Sequence, residues 1–457
     1  MTSPISLIAR GALRVAAVLA FATRLGAQAP AAAPDSALPI TVDEAIRLAR
    51  QNVPAAVQAR GTERTNRAAV RSAYGSLLPS LSVSLGAIRQ LPSGATTRLN
   101  PTTGVRETLP NQPWTYSNGL SANMTLFNGG QSLYDIRTAR ANVESGEATS
   151  VAQEFAVALD VSQQYYNALA ARESEAAARV QLQLAEQQLR YSATRVRAGV
   201  ATKSDSLRSL IQVGTAQLAL LTGQTNLRSA NAALTRLVGS PRAVTAAPED
   251  TLLPPLDSAA LDTTALGALA MRGPAVRQAE AAYDAARTTR RAARAPYLPS
   301  VTASYSRAGS GQARFGFGED PYTYGGSFAL RLSYPLFDQF SREERVVRAD
   351  VAEDNASAAL RDARLAARQL LVQNVDLLRT AQERARVQQI SVLAAEEDLR
   401  VQQQRYNAGA STLLDVLTSQ TQLAQAQTAL IQARFDARVA RARLESLIGQ
   451  RLTPAAR

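Results

Sequence analysis

The chain has 457 residues, a formal net charge of +13, and neither cysteine nor histidine. A thiol nucleophile, a disulfide, a histidine-based triad and the usual zinc sites are therefore excluded. Carboxylate-only chemistry remains open to it, so an enzyme is disfavoured and not excluded. All basic residues but one, Lys203, are arginine, and they alternate with Asp and Glu along helical stretches. A nucleic-acid footprint would be clustered instead.

In chain order, residues 1–29 read as an export signal. Arg10 and Arg14 precede a short apolar run, Val15 to Ala22, and small residues place a cleavage after Ala27 or Ala29. The run is too short to span a bilayer. No later stretch of 18 apolar residues occurs.

The remainder is written twice. Residues 189–239 and 399–449 share 20 identities in 51 positions without a gap. About five would be expected by chance from average composition. LFNGG at 126–130 meets LFDQF at 336–340 at the same offset of 210 residues. Further upstream the offset becomes 220, as in LLPSLSVS (77–84) and YLPSVTAS (297–304). The first half thus carries ten more residues between Pro79 and Phe127, best placed in a surface loop. The organisation expected is repeat one over 30–240, a proline-bearing connector over 241–262, repeat two over 263–449 and a short end, 450–457.

Each repeat opens with helix. Thr41 and Glu44 fit a capping box, and Pro54 suits the first turn of a second helix reaching about Tyr74. Its counterpart runs from about Pro274 to Arg294. The period then becomes two, with strands at about 78–90, 114–127, 298–308 and 322–336. One face is apolar and the other rich in Ser, Thr and Gly. Such strands suit a half-buried sheet on a soluble core. Their length of about ten residues also suits a tilted bilayer crossing. Aromatics gather at the ends, with Trp114, Tyr116, Tyr322 and Tyr324 at one and Phe127, Tyr297, Tyr334 and Phe337 at the other. That arrangement favours interfacial girdles.

Two long helices follow, about 130–197 and 340–407, each on the order of 100 Å at 1.5 Å per residue. Each ends at an Ala-Gly and is answered by a return helix, about 204–237 and 412–447. Gly199 and Gly409 read as C-terminal stops, and Thr202, Ser204, Ser411 or Thr412 as caps of the return. Four strands cannot close a membrane barrel, and an open edge in lipid is prohibitive. Two chains would supply eight strands and three would supply twelve.

The duplication, the strand–long helix–tip order and the segment RYNAGASTLLDVLTSQ (405–420) together resemble the TolC-like outer-membrane efflux proteins of Gram-negative bacteria. The likeness covers Thr41 to Gly449. It implies a mostly α fold with a membrane β-barrel: a homotrimer whose twelve strands form one barrel, continuous with a periplasmic α-helical barrel. It implies passive export through the outer membrane, with an inner-membrane pump and a periplasmic adaptor as partners and no cofactor. By the same resemblance Asp415 matches the first acidic position of a periplasmic gate. Thr418 stands where a second acid can occur, and Asp205 is the first-half equivalent of Asp415. The tips Arg197, Ala198, Gly199 and Val200, and Asn407, Ala408, Gly409 and Ala410, would contact the adaptor. The exit duct of a type I protein secretion system fits the same resemblance. A non-channel periplasmic coiled-coil scaffold is the rival of another class.

Overall fold

The computed structural model describes residues 37–89, 97–108, 114–248, 263–311 and 323–452. The expected export signal, Tyr322, most of the connector and the last five residues lie outside the described residues. Within them the chain runs β1 (Leu38–Ile40), α1 (Val42–Asn52), α2 (Pro54–Gly75), β2 (Ser80–Ile88), β3 (Thr97–Leu99), β4 (Arg106–Thr108) and β5 (Thr115–Asn128). Then come α3 (Gln131–Arg197), α4 (Lys203–Val238), β6 (Val244–Ala246), α5 (Thr263–Ala270), α6 (Pro274–Ala293), β7 (Ser300–Gly311), β8 (Thr323–Ser333), α7 (Ser341–Asn407) and α8 (Leu413–Ile448). The long helices α3 and α7 both have 67 residues, and the return helices α4 and α8 both have 36.

Local chemistry explains the boundaries. Thr41 Oγ1 accepts the Glu44 N–H at 3.3 Å, but the reciprocal half of the expected capping box is not made. Glu44 instead accepts from Arg47 at 2.7 Å. Pro54 occupies the first turn of α2, where its missing N–H costs nothing. At the start of α3, Gly129 and Gly130 have φ of +68° and +80°. A Cβ on Gly129 would lie 2.2 Å from the Ala295 carbonyl oxygen. The second repeat makes the same left-handed turn with Gln339 and Phe340, at +58° and +61°. For side-chain-bearing residues that costs about 1–2 kcal/mol each.

Each long helix is matched along its length by two shorter ones. Near the sheet α2 lies on α3, and α6 lies on both α3 and α7; toward the tips α4 pairs with α3, and α8 with both α3 and α7. The short helices meet at mid-height, where Asn52 Nδ2 donates to the Val238 carbonyl at 3.1 Å. Gly239 and Gly449 close α4 and α8 there with φ of +67° and +69°. The parallel pair β1–β6 covers this junction. Tyr165, Val161, Leu234 and Val238 are fully buried beneath it. The second repeat buries Val375, Leu371, Leu444 and Ile448 at the equivalent positions.

From mid-height to the tips the packing has a period of seven. Leu371, Leu378, Val392, Leu399 and Tyr406 on α7 are buried at intervals of 7 or 14, as are Val416, Leu423, Leu430 and Leu444 on α8. A seven-residue repeat keeps the seam between two helices only if they coil around each other left-handedly.

The four main strands form one sheet in the order β2-β5-β7-β8, antiparallel throughout. Registers put Leu81, Val83, Leu85, Leu120, Ala122, Tyr305, Phe328, Leu330 and Leu332 on one face. Serines line the other, with hydroxyl pairs Ser82–Ser121 at 2.6 Å and Ser306–Ser327 at 3.0 Å. The period-two alternation expected over 114–127 breaks at a bulge between Thr125 and Phe127, so Phe127 and not Leu126 continues the apolar face. β8 stops at Ser333, short of the 336 expected, two residues before Pro335. The ten extra residues of the first half fall between β2 and β5, where the small β3–β4 hairpin sits.

Leu378, 1 % exposed, lies at the centre of the second-repeat core. Leu378→Ala is expected to cost about 2–5 kcal/mol. The readout is a lowered melting temperature of the helical circular dichroism. A melting temperature equal to wild type would contradict the described packing.

Candidate functional site

The tips are built twice from the same parts. At the end of α3 the Gly199 N–H donates to the Val196 carbonyl and the Val200 N–H to the Arg195 carbonyl, both at 3.0 Å. At the end of α7 Gly409 donates to Tyr406 at 3.1 Å and Ala410 to Arg405 at 2.8 Å. This double closure requires a left-handed residue, and Gly199 and Gly409 supply it with φ of +74° and +76°. A Cβ at either would meet nothing within 4 Å. Backbone conformation is therefore what calls for glycine there. Arg197, Ala198, Val200, Asn407, Ala408 and Ala410 are exposed around these turns.

The return helices are capped by Thr202 and Thr412. Ser204 lies inside the first turn of α4. Ser411 donates its hydroxyl to Asp415 Oδ2 at 2.9 Å and caps nothing. Asp205 and Asp415 complete reciprocal capping boxes. Asp415 Oδ2 accepts the Thr412 N–H at 2.9 Å and hydroxyl at 2.8 Å. Asp205 Oδ2 accepts the Thr202 groups at 3.0 and 2.9 Å. The Thr412 N–H and hydroxyl, with the Ser411 hydroxyl, hold the exposed Asp415 carboxyl below the ordinary aspartate range. Thr418 is exposed and donates its hydroxyl back to the Leu414 carbonyl at 2.8 Å.

No local sequence pattern marks the clasp that joins the two tips. Arg195 stacks over the Tyr406 ring at 4.8 Å and donates to the Tyr406 carbonyl at 3.3 Å. Tyr191 meets Tyr406 edge-on at 6.3 Å and donates its hydroxyl to Asn407 Oδ1 at 2.9 Å. Burial raises the Tyr406 phenol above its usual range, with Arg195 opposing. Arg195 and Arg405 are identical in the two repeats. Tyr191 and Tyr406 fall at positions where the repeats differ, so repeat comparison passes over them.

The same 210-residue shift relates two grooves between paired helices. Asn167, Ser174 and Asn226 line one, of about 390 Å³. Leu377, Arg384 and Asp436 take their places in the other, of about 460 Å³, joined by Asp376 and Arg443. Among the described residues no group of three acidic side chains is arranged to hold a metal.

At the sheet, Trp114 and Tyr116 stack at 6.4 Å, with the Arg89 guanidinium 6.0 Å from the Trp114 ring. Tyr324 accepts from Asn118 Nδ2 at 3.0 Å and carries the Arg307 guanidinium at 5.1 Å. Asn118 and Arg307 are thus polar groups on the otherwise apolar face. Phe127, Tyr334 and Phe337 are exposed at the opposite end. Tyr297 packs there under the buried Arg342 at 5.0 Å. Tyr116 and Phe127 lie 11 positions apart on β5. That is about 36 Å of strand, which at the tilt of a membrane barrel would cover roughly 25–30 Å of height. Among the described residues no helix is long and apolar enough to cross a membrane.

Thr412→Ala is expected to cost about 1 kcal/mol at the start of α8. The readout is faster hydrogen exchange at the Asp415 amide, which donates to Thr412 Oγ1. Because the Asp415 carboxyl is lowered on folding, its contribution is complete above the ordinary aspartate value and is lost as pH falls through the lowered one. Exchange protection of that amide should hold from neutral pH to about 4 and fall below it. Protection indifferent to both changes would contradict the cap.

Residues 45–240 and 266–450 match the outer membrane efflux protein family. The pyoverdine export outer membrane protein OpmQ of Pseudomonas aeruginosa is 30% identical over 382 residues, covering 82% of this chain and 76% of that protein. The outer membrane protein VceC of Vibrio cholerae superposes with a TM-score of 0.71 at 18% identity, over 90% of this chain and 97% of that one. The open-state MtrE outer membrane channel of Neisseria gonorrhoeae gives 0.69 at 21% identity, over 90% of each chain. Both structures share the fold: two repeats of helix, β-hairpin, long helix and return helix. With two matched segments that fall one in each repeat, the chain belongs to the outer membrane efflux protein family and is an outer-membrane efflux channel, not an enzyme.

Proposed function

We propose that three copies of this chain close into one duct: a twelve-strand barrel in the outer membrane, continued by twelve helices into the periplasm. The observation that carries this is the open sheet. It ends in β2 on one side and β8 on the other. Its apolar face is bare, with Leu81 and Leu332 each 70% exposed. Lipid accepts that face, but not two unpaired strand edges. Three copies rather than two fit the serine-lined face. Eight strands leave an interior that side chains fill, whereas twelve leave room for water. Further exposed rows support assembly on the helices. Leu207, Leu210, Ile211, Leu218 and Leu221 stand out along α4, and Val387, Ile390, Leu393 and Val401 along α7.

The duct exports small molecules passively, served by an inner-membrane pump and a periplasmic adaptor. The likeness to a pyoverdine exporter supports this over the exit duct of a type I protein secretion system. The alternating strands and their bare apolar face count against a coiled-coil scaffold. The helical tips form the periplasmic end, where the Gly199 and Gly409 turns meet the adaptor. Three Asp415 carboxylates ring the lumen there and favour cations. Their mutual repulsion opposes the lowering that each cap imposes.

Asp205 serves as an internal control for Asp415, since both make the same cap. In planar bilayers Asp415→Ala is expected to raise basal conductance and weaken block by divalent cations, with Asp205→Ala near wild type. Equal records from the two variants would reduce Asp415 to its cap. Gly409→Val should abolish export while the oligomer persists in mild detergent. Loss of the oligomer itself would show that the turn serves folding and not the adaptor.

A further inference from the structure

The two hairpins have one register. Ser80 pairs with Asn123 and Ile88 with Thr115 in the first; Ser300 pairs with Ser333 and Ala308 with Gly325 in the second. The second set is the first moved by 220 residues on the leading strand and 210 on the trailing one. The seam between the halves, β5 on β7, aligns Met124 with Ala303, Asn123 with Ser304, Ala122 with Tyr305 and Ser121 with Ser306. It shifts at a bulge between Thr125 and Phe127, where Leu126 is passed over.

We infer that the free edge of β8 pairs antiparallel with β2 of a second copy of this chain, in the register obtained by carrying the β5–β7 seam through the same two shifts. On the apolar face Leu332 then lies opposite the partner's Leu85, Tyr334 opposite the partner's Val83 and Phe337 opposite the partner's Leu81. On the polar face Ser333 lies opposite the partner's Ser84 and Arg331 opposite the partner's Gly86. The inference rests on the barrel reading above and adds to it the register of the closing seam.

The pairing follows from chain positions alone, and at the pairs just named the side chains agree with it: apolar residues meet apolar residues and serine meets serine. Farther along the same register Phe328 comes opposite the partner's Arg89. The long lumen-side Arg331 meets the one position on β2 without a side chain. The bulge lands on Pro335 and Leu336. Pro335 has no N–H to give a ladder, and bulges are where sheets tolerate it. Leu336, in the place of the passed-over Leu126, is 84% exposed. The early end of β8 at Ser333 has a reason too, because Tyr334 to Asp338 have no strand to pair with among the described residues of one chain. A slip of one residue would set Leu332 against a partner serine or glycine and mismatch both faces. A slip of two would keep the faces but drive Arg331 onto the partner's Ser84 or the partner's Ile88.

The chain contains no cysteine, so introduced thiols stand alone. The test compares Ser84→Cys with Ser333→Cys against the slipped pair Ser82→Cys with Ser333→Cys, in outer membranes treated with a short bifunctional thiol reagent. Leu85→Cys with Leu332→Cys reads the same register from the lipid side, should the first pair disturb assembly. The native mass of each variant is measured in mild detergent. The expected result is an oligomeric mass with covalent multimers from the 84/333 and 85/332 pairs and few from 82/333. An oligomeric mass with multimers only from 82/333, or from none, overturns this register and leaves the barrel reading standing. A monomeric mass without cross-links overturns both.

Discussion

A strand edge offers a row of N–H and C=O groups that something must satisfy, and in hydrocarbon only another strand can. Four strands per chain leave two such edges, β2 and β8. The rest of the architecture accommodates this constraint. In the proposed barrel the bare apolar face meets lipid and the serine-rich face meets water. Closure then comes from further copies, which makes symmetry a requirement of the proposal and not an ornament. The internal duplication already solves the problem once, at the β5–β7 seam, so the chain carries a pattern for its own closure.

The helical part answers a different demand. A 67-residue helix cannot be buried in a compact domain. Here each one is flanked by two shorter helices that abut at mid-height; in the first repeat Asn52 bridges the joint and the β1–β6 pair covers it. The buried period of seven along α7 and α8 holds the lower half as a coil. At the tips, glycine turns and capping boxes end the helices without apolar cover. The clasp of Arg195, Tyr191 and Tyr406 is what ties one hairpin tip to the other within a chain.

Much of this was legible in the amino-acid order because it rests on local chemistry. Gly199 and Gly409 announce left-handed stops, Thr202 and Thr412 stand among the residues able to cap the return helices, and period-two stretches announce strands. The duplication doubles each of these signals. Other features depend on contacts between distant segments and carry no local mark. The bulge at Leu126 breaks an alternation that reads as continuous. Arg307 and Asn118 look like interruptions until Tyr324, far along the chain, is seen to hold them. Thr412 and not Ser411 caps α8 because the Asp415 N–H reaches its Oγ1. At the tips both candidate acids, Asp205 and Asp415, read identically, since a gate charge and a helix cap call for the same residue at the same place.

The most direct test of the account is the native mass of the detergent-purified chain, measured on the sample whose conductance is recorded in a planar bilayer. The account predicts a trimer giving discrete channels that prefer cations. A monomer without conductance would contradict it, because the two free edges of the sheet would then need some other cover.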